Sequence, residues 1–406
     1  MTTSSPAAMS FPAAFASRSD LPLLLCLSHL RWDFVFQRPQ HLLCRAARDY
    51  RVIFLEEPHR VPDQQAAPRL ETRVTAHGVL IATPILPQGM EPDTEIIAQA
   101  GLLNGLIGKF GEPAVAWYYS SMFLPIAGHL EPSVTIYDCM DELSLFRGAS
   151  PQLQLLERRL LKRADFVFAG GRSLYDAKRF LHSNAHLFPS SVDAAHFIPA
   201  RFPSKLADPA DQASLAHPRL GYFGVIDERL DLPLLAEVAD RRPDWQIVMV
   251  GPVVKIDPAS LPQRSNLHWL GGKLYEELPS YLAHWNFGLM PFALNEATRF
   301  ISPTKTPEFL AAGVPVISTP VADVVRDWGK PGLVEIAATA EQVIEAAEKI
   351  AARPREEWLN RVDHRLDQTS WDRTWEGMNR LIRRILAPQR LLPRMADSLD
   401  LTQAAD

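Results

Sequence analysis

The chain has 406 residues, too many for one ordinary hydrophobic core, and the usual domain size divides it into two. With 47% hydrophobic and 22% charged residues and a net charge of −5, its composition is neither disordered nor membrane-embedded and shows no basic footprint for nucleic acid. Cys26, Cys44 and Cys139 sit on apolar or helical stretches without metal-ligand spacing, which predicts free thiols in a reducing compartment.

Residues 1–20, rich in Ser, Ala and Pro, lack the basic start and apolar core of a signal peptide and are expected to form an unstructured tail. From Leu21 onward, short apolar runs alternate with amphipathic segments, the pattern of a parallel sheet covered by helices. Strands are expected at 23–28, 52–55, 79–83, 115–119, 134–137, 165–169 and 186–188, and helices at 38–48, 95–108, 121–128, 151–163 and 173–183. They complete one doubly wound, Rossmann-like α/β domain over 21–200. A polar, Pro-containing stretch over 201–218 reads as a linker.

A second alternation over 219–353 repeats the pattern, with strands at 219–223, 246–250, 267–270, 287–291, 314–318 and 333–336. Helices at 231–240, 275–283 and 339–353 lie between and after them. Over 354–388 further helices carry an apolar stripe at Trp371, Trp375, Met378, Ile382 and Ile385, which is expected to bury itself back across the first domain. Arg383 and Arg384 read as part of a solvated face, and 389–406 as a second tail.

Open α/β sheets hold ligands at the carboxyl ends of their strands, so the loops there carry the candidate chemistry. After the first strand, Trp32 and Phe36 form an aromatic platform with Arg38 and His41 beside it, suited to a sugar or phosphate. The same aromatics could instead plug the sheet edge. After the fifth strand, Asp138, Asp141 and Glu142 crowd three carboxylates together, an arrangement that caps a helix, binds a cation or does acid–base work.

In the second domain, Gly224 permits close backbone approach and Arg229 can neutralise a diphosphate. Further on, a polar loop through Ser302 and Thr304 delivers Lys305 to a short helix expected to open at Thr306 as N-cap, with Pro307 first and Gly313 as stop. A helix start beside an ammonium suits phosphate, and Glu308 could accept hydrogen bonds from sugar hydroxyls.

Two segments carry a resemblance. Phe188-Pro189-Ser190-Ser191-Val192-Asp193-Ala194-Ala195-His196-Phe197 and Pro307-Glu308-Phe309-Leu310-Ala311-Ala312-Gly313-Val314-Pro315-Val316-Ile317 are similar to motifs of the GT-B glycosyltransferases, especially the retaining group 1, family 4-like enzymes that build bacterial polysaccharides. The resemblance implies two Rossmann-like domains facing a central cleft and a C-terminal helix crossing back to the first. It implies a nucleotide-diphospho-sugar donor, of UDP or GDP type, held mainly by the second domain through Gly224, Arg229, Ser302, Thr304, Lys305, Thr306 and Glu308. A glycan or lipid-linked acceptor would meet the first domain at Trp32, Phe36, Arg38 and His41, with Asp138 and Asp141 as the candidate catalytic carboxylates that help to position it.

Arg229 and Lys305 would stabilise the leaving diphosphate, so no metal or other cofactor is expected. No nucleic-acid partner is expected, and the family suggests a cytoplasmic protein able to touch the inner face of the membrane. Two departures stand out. The first of the family's paired acidic residues falls at Phe300, and Gln37-Arg38-Pro39-Gln40 replaces a Gly-rich turn. A nucleotide-sugar epimerase and a catalytically inactive sugar-nucleotide-binding partner are the alternative readings.

Overall fold

The computed structural model describes Phe15 and residues 18–389. The expected tails over 1–20 and 389–406 otherwise lie outside the described residues. Phe15 is buried, edge-to-face with Phe110 at 5.2 Å between ring centroids.

The first domain is built on β1 (Leu23–Ser28), β2 (Arg51–Glu56), β3 (His59–Val61), β4 (Arg69–Val74), β5 (Leu80–Pro87), β6 (Val115–Tyr118), β7 (Val134–Cys139), β8 (Phe166–Ala169) and β9 (Ala185–Leu187). Its order is β3-β5-β2-β1-β6-β7-β8-β9, with β4 antiparallel on β5 and the rest parallel. β1 is buried along its whole length, and its alternate residues feed different clusters: Leu23, Leu25 and Leu27 one face, Leu24 and Cys26 the other. A strand buried on both faces reads as a continuous apolar run. The two short strands β3 and β4 were not expected. In β4 only the alternation of Leu70, Thr72 and Val74 with charged neighbours signals a strand, and Leu70 alone is buried.

The second domain contains β10 (Arg219–Phe223), β11 (Gln246–Val250), β12 (Leu267–Gly271), β13 (Phe287–Met290), β14 (Val316–Ser318) and β15 (Val334–Ile336). They lie in the order β12-β11-β10-β13-β14-β15, all parallel. Core packing passes to this domain before the expected linker begins, since Val192, Phe197 and Ala200 already belong to its apolar cluster. The 201–218 stretch is itself packed down. Gln212 is buried against Trp285, whose Nε1 donates to it at 2.9 Å, and Asp208 pairs with buried Arg219 at 2.7 Å.

The C-terminal helices divide their loyalties. Trp358, Val362 and Leu366 on the Arg355–Leu366 helix pack into the second domain, contrary to the expectation that all of 354–388 returns to the first. The Trp371–Gln389 helix does cross back, burying Trp371, Trp375, Met378 and Ile382 in the first domain. Polar contacts fix its register: Trp375 Nε1 and Asn379 Nδ2 donate to Asp49 at 3.1 and 3.0 Å, and Tyr50 donates to Asn379 at 2.8 Å. Arg383 also meets Asp49, at 2.7 Å.

Candidate functional site

Strand order places the site. In the second sheet the chain runs outward through β10, β11 and β12, then restarts on the other side at β13, so a crevice opens at the carboxyl ends of β10 and β13. The loops leaving these strands carry Gly224 to Arg229 and Ala293 to Thr304. The first sheet reverses in the same way between β1 and β6, which sends the loop of Trp32 and Phe36 to its own crevice. Both sets of loops line one cavity of about 380 Å³ between the domains.

At its centre Lys305 lies across Gly224. A Cβ on Gly224 would stand 1.9 Å from Lys305 Cε and 2.5 Å from Nζ, and Gly224 has φ +130°, so only glycine fits. The Lys305 ammonium makes no hydrogen bond or ion pair among the described residues; the Tyr222 ring lies 5.8 Å away. Burial, with a further push from Arg229, lowers its pKa to about 8 against the opposing pull of Glu308, Asp227 and Asp141. One turn along, burial pushes the Glu308 carboxyl up to about 7 against the pull of Lys305. These are a cation and an acid held side by side in a low-dielectric cleft without direct contact.

Arg229 also lines the cavity, but it is not a free cation. It donates through Nε to Asp227 Oδ1 at 2.9 Å and through Nη2 to Oδ2 at 2.7 Å. Asp227 and nearby Asp141 hold its pKa high despite burial. Asp141 has its own pKa raised by burial, with Arg229 and Lys305 opposing the shift.

The short helix is Lys305–Ala311, with Thr304 as N-cap and no side-chain cap. It starts earlier than expected because the Pro303 carbonyl accepts the Thr306 N–H at 3.2 Å. Thr306 is therefore no cap: its side chain is buried, with Oγ1 donating to Met290 Sδ at 3.6 Å. With Pro307 lacking an N–H and that of Thr306 engaged, the helix start offers phosphate less than the sequence suggested, and the ammonium offers more. Thr304 lines the cavity with Lys305 and Glu308. Ser302 packs instead on Gly171 of the first domain, where an added Cβ would lie 2.6 Å from Ser302 Cβ.

On the first-domain side, Trp32 and Phe36 line the cavity, and Phe36 stacks on Tyr275 at 4.9 Å across the cleft. Arg38 and Asp138 do not. Both are fully buried and paired, Arg38 donating to Asp138 Oδ1 at 2.8 Å through Nη2 and to the Phe188 carbonyl at 2.8 Å through Nη1. They tie the helix after β1 to the end of β7 and to the segment leading out of the domain. His41 is buried and stacked on Trp371 at 4.8 Å, and burial lowers its pKa to about 3, with Arg45 adding to the effect. A neutral, covered imidazole of this kind is a packing group rather than an acceptor contact.

Other residues shape the site without a sequence signal. Phe146, from the first domain, sits over Arg229 at 5.5 Å and Lys255 at 5.3 Å. The Tyr275 hydroxyl is buried without a hydrogen-bond partner among the described residues. Asp323 reaches across the domain contact to accept the Ser173 N–H at 3.1 Å and the Ser173 hydroxyl, with Arg326 at 2.6 Å behind it. Phe300 packs against the apolar cluster of the first domain, which accounts for an aromatic residue where an acid would face desolvation. Asp227 stands two residues before Arg229 in the sequence, but its pairing with that guanidinium is set by the fold.

Two Rossmann-like domains, a cleft at their switch points and a C-terminal helix returning to the first domain define a GT-B protein. Solved structures agree on that fold. Sucrose-phosphate synthase from Thermosynechococcus elongatus is 16% identical with a TM-score of 0.64, covering 90% of this chain and 100% of that one. A trehalose-6-phosphate protein from E. coli bound with UDP-2-fluoro glucose is 11% identical with a TM-score of 0.65, covering 89% and 99%.

Residues 218–353 match the family Glycosyl transferases group 1. The putative teichuronic acid biosynthesis glycosyltransferase TuaH of Bacillus subtilis (strain 168) is 28% identical over 222 residues, 52% of this chain and 56% of that protein. The match thus spans about half the length of that curated relative. The second domain is thus similar to the group 1 glycosyl transferases, and the chain as a whole has the GT-B fold.

Proposed function

We propose that the protein transfers a sugar from a nucleotide-diphospho-sugar, of UDP or GDP type, to a glycan or lipid-linked acceptor in polysaccharide biosynthesis. One observation carries the reading: the unpaired Lys305 ammonium, held against Gly224 in the interdomain cavity, with Arg229 beside it and Glu308 behind. As the bond from sugar to diphosphate breaks, negative charge grows on the leaving group. Lys305 and Arg229 meet that charge with fixed cations in a partly buried site. Metal independence belongs to this reading, since side chains supply the positive charge.

Gly224 gives Lys305 the room to reach the diphosphate, and Thr304 and Glu308 take hydroxyls of the donor. Asp141, at the first-domain edge beside Arg229 and Lys305, is the carboxylate for positioning the acceptor, with Trp32 and Phe36 as its apolar wall. No helix among the described residues is long and apolar enough to cross a membrane. In this reading a lipid-linked acceptor is met by peripheral contact at the inner face.

The test is incubation with a panel of nucleotide sugars while UDP or GDP release is followed. Release with one donor, accelerated by an acceptor glycan, supports transfer. Phe300 motivates a second reading, an inactive nucleotide-sugar-binding partner, because its ring packs on the first domain where relatives place an acid. Nucleotide binding without any release would favour that partner.

A further inference from the structure

Away from the cleft, a second groove of about 690 Å³ opens beside the π-helical turn Val325–Gly329 and the Arg355–Leu366 helix. Asn360, Arg361, His364 and Arg365 share one face of the helix and line it, Gln368 follows just past the helix end, and Arg326 reaches in from the turn. Three guanidiniums face two carboxylates there, and one of these, Asp327, is already paired with Arg326 at 3.1 Å. The other, Glu357, lies on the same helical face. Arg365 lies over the Trp328 ring at 5.4 Å, and its Nε is buried without a hydrogen-bond partner among the described residues. A stacked guanidinium with an unsatisfied donor, flanked by further guanidiniums and planar amides, is suited to bidentate contact with a carboxylate or phosphate and to sugar hydroxyls.

The groove is joined to the domain interface through one side chain. Arg326 Nη2 donates to Asp323 Oδ1 at 2.6 Å, and the same oxygen accepts the Ser173 N–H of the first domain at 3.1 Å. Asp323 is buried, so Arg326 is its counter-charge.

We propose that this groove binds an anionic saccharide, a sugar bearing a carboxylate or a phosphate, and that its occupancy reaches the domain interface through Arg326. Arg361 and Arg365 hold the anion, while Asn360 and Gln368 take hydroxyls. A bound anion draws Arg326 towards the groove, leaves Asp323 with the Ser173 donors alone, and loosens the contact between the domains. This site is separate from the cleft and does not depend on the transfer reaction.

The test is calorimetric titration of the full chain with glucose 6-phosphate, glucuronate, inorganic phosphate and glucose, read beside hydrogen exchange at Ser173. The two charged sugars should bind about tenfold or more tighter than glucose and than inorganic phosphate. Comparing them assigns the anion as phosphate or carboxylate. Binding should weaken about tenfold in Arg361→Gln and in Asn360→Asp, an exposed position where folding is not at risk, and persist in Lys305→Ala. Saturation with the charged sugar should speed exchange at Ser173 several-fold. No binding, equal affinity for inorganic phosphate, or loss in Lys305→Ala with retention in Asn360→Asp would overturn the site. Unchanged exchange at Ser173 on saturation would overturn the coupling.

Discussion

Lys305 occupies the space that any side chain at Gly224 would need, with its Cε 1.9 Å from the position of an added Cβ. The two residues come from loops after different strands, β10 and β13, so their contact sets where the cation stands in the cleft. Gly224→Ala should push the ammonium aside and strain a backbone at φ +130°, at a cost of about 1–3 kcal/mol. The variant is expected to fold with a lowered melting temperature and to lose about tenfold or more in UDP or GDP affinity. Calorimetric titration after thermal unfolding checks both.

A pH dependence follows from the Lys305 and Glu308 pair. Lys305 sits at about 8, below its ordinary 10.5, so its contribution to stability is present above 10.5 and lost as the pH falls through 8. Glu308 sits at about 7, above its ordinary 4.5, so its contribution is present below 4.5 and lost as the pH rises through 7. Both charges therefore burden the empty cleft between pH 7 and 8.

A diphosphate needs the ammonium, so nucleotide affinity should fall as the pH rises through about 8, approaching about tenfold per unit above it. Isothermal titration with UDP and GDP from pH 7 to about 9.5 measures the profile. Lys305→Arg, charged throughout, should flatten it.

Asp138 and Arg38 looked like site residues and are a buried ion pair. Arg38→Met alone should cost about 3–5 kcal/mol, because it strands a buried carboxylate, and Arg38→Met with Asp138→Leu should recover much of that. Denaturant unfolding reads the recovery. Nucleotide release per folded molecule should be nearly unchanged in the double variant, an outcome incompatible with Asp138 as a catalytic group.

Sequence periodicity made the two sheets legible, because strands buried on both faces, such as β1, are uninterrupted apolar runs. It also placed the loops of Gly224 and Lys305 at strand ends. It could not tell a free cation from a paired one: Lys305 and Arg229 look alike in sequence, and only the fold shows Asp227 clasping Arg229. Likewise Arg38, His41 and Asp138 have the residue types of a site, but their side chains turn into the first domain, towards Phe188, Trp371 and each other. Contacts between distant segments, such as Ser173 with Asp323 and Phe146 with Arg229, have no local signature.

The central claim is that Lys305 carries the leaving-group charge of a nucleotide-sugar donor. It is tested most directly by Lys305→Ala, measured for UDP and GDP affinity by calorimetry and for nucleotide release from the donor that the wild type turns over. The account predicts a folded protein with affinity reduced about a hundredfold and release at or near background. Wild-type affinity and release in Lys305→Ala would contradict it.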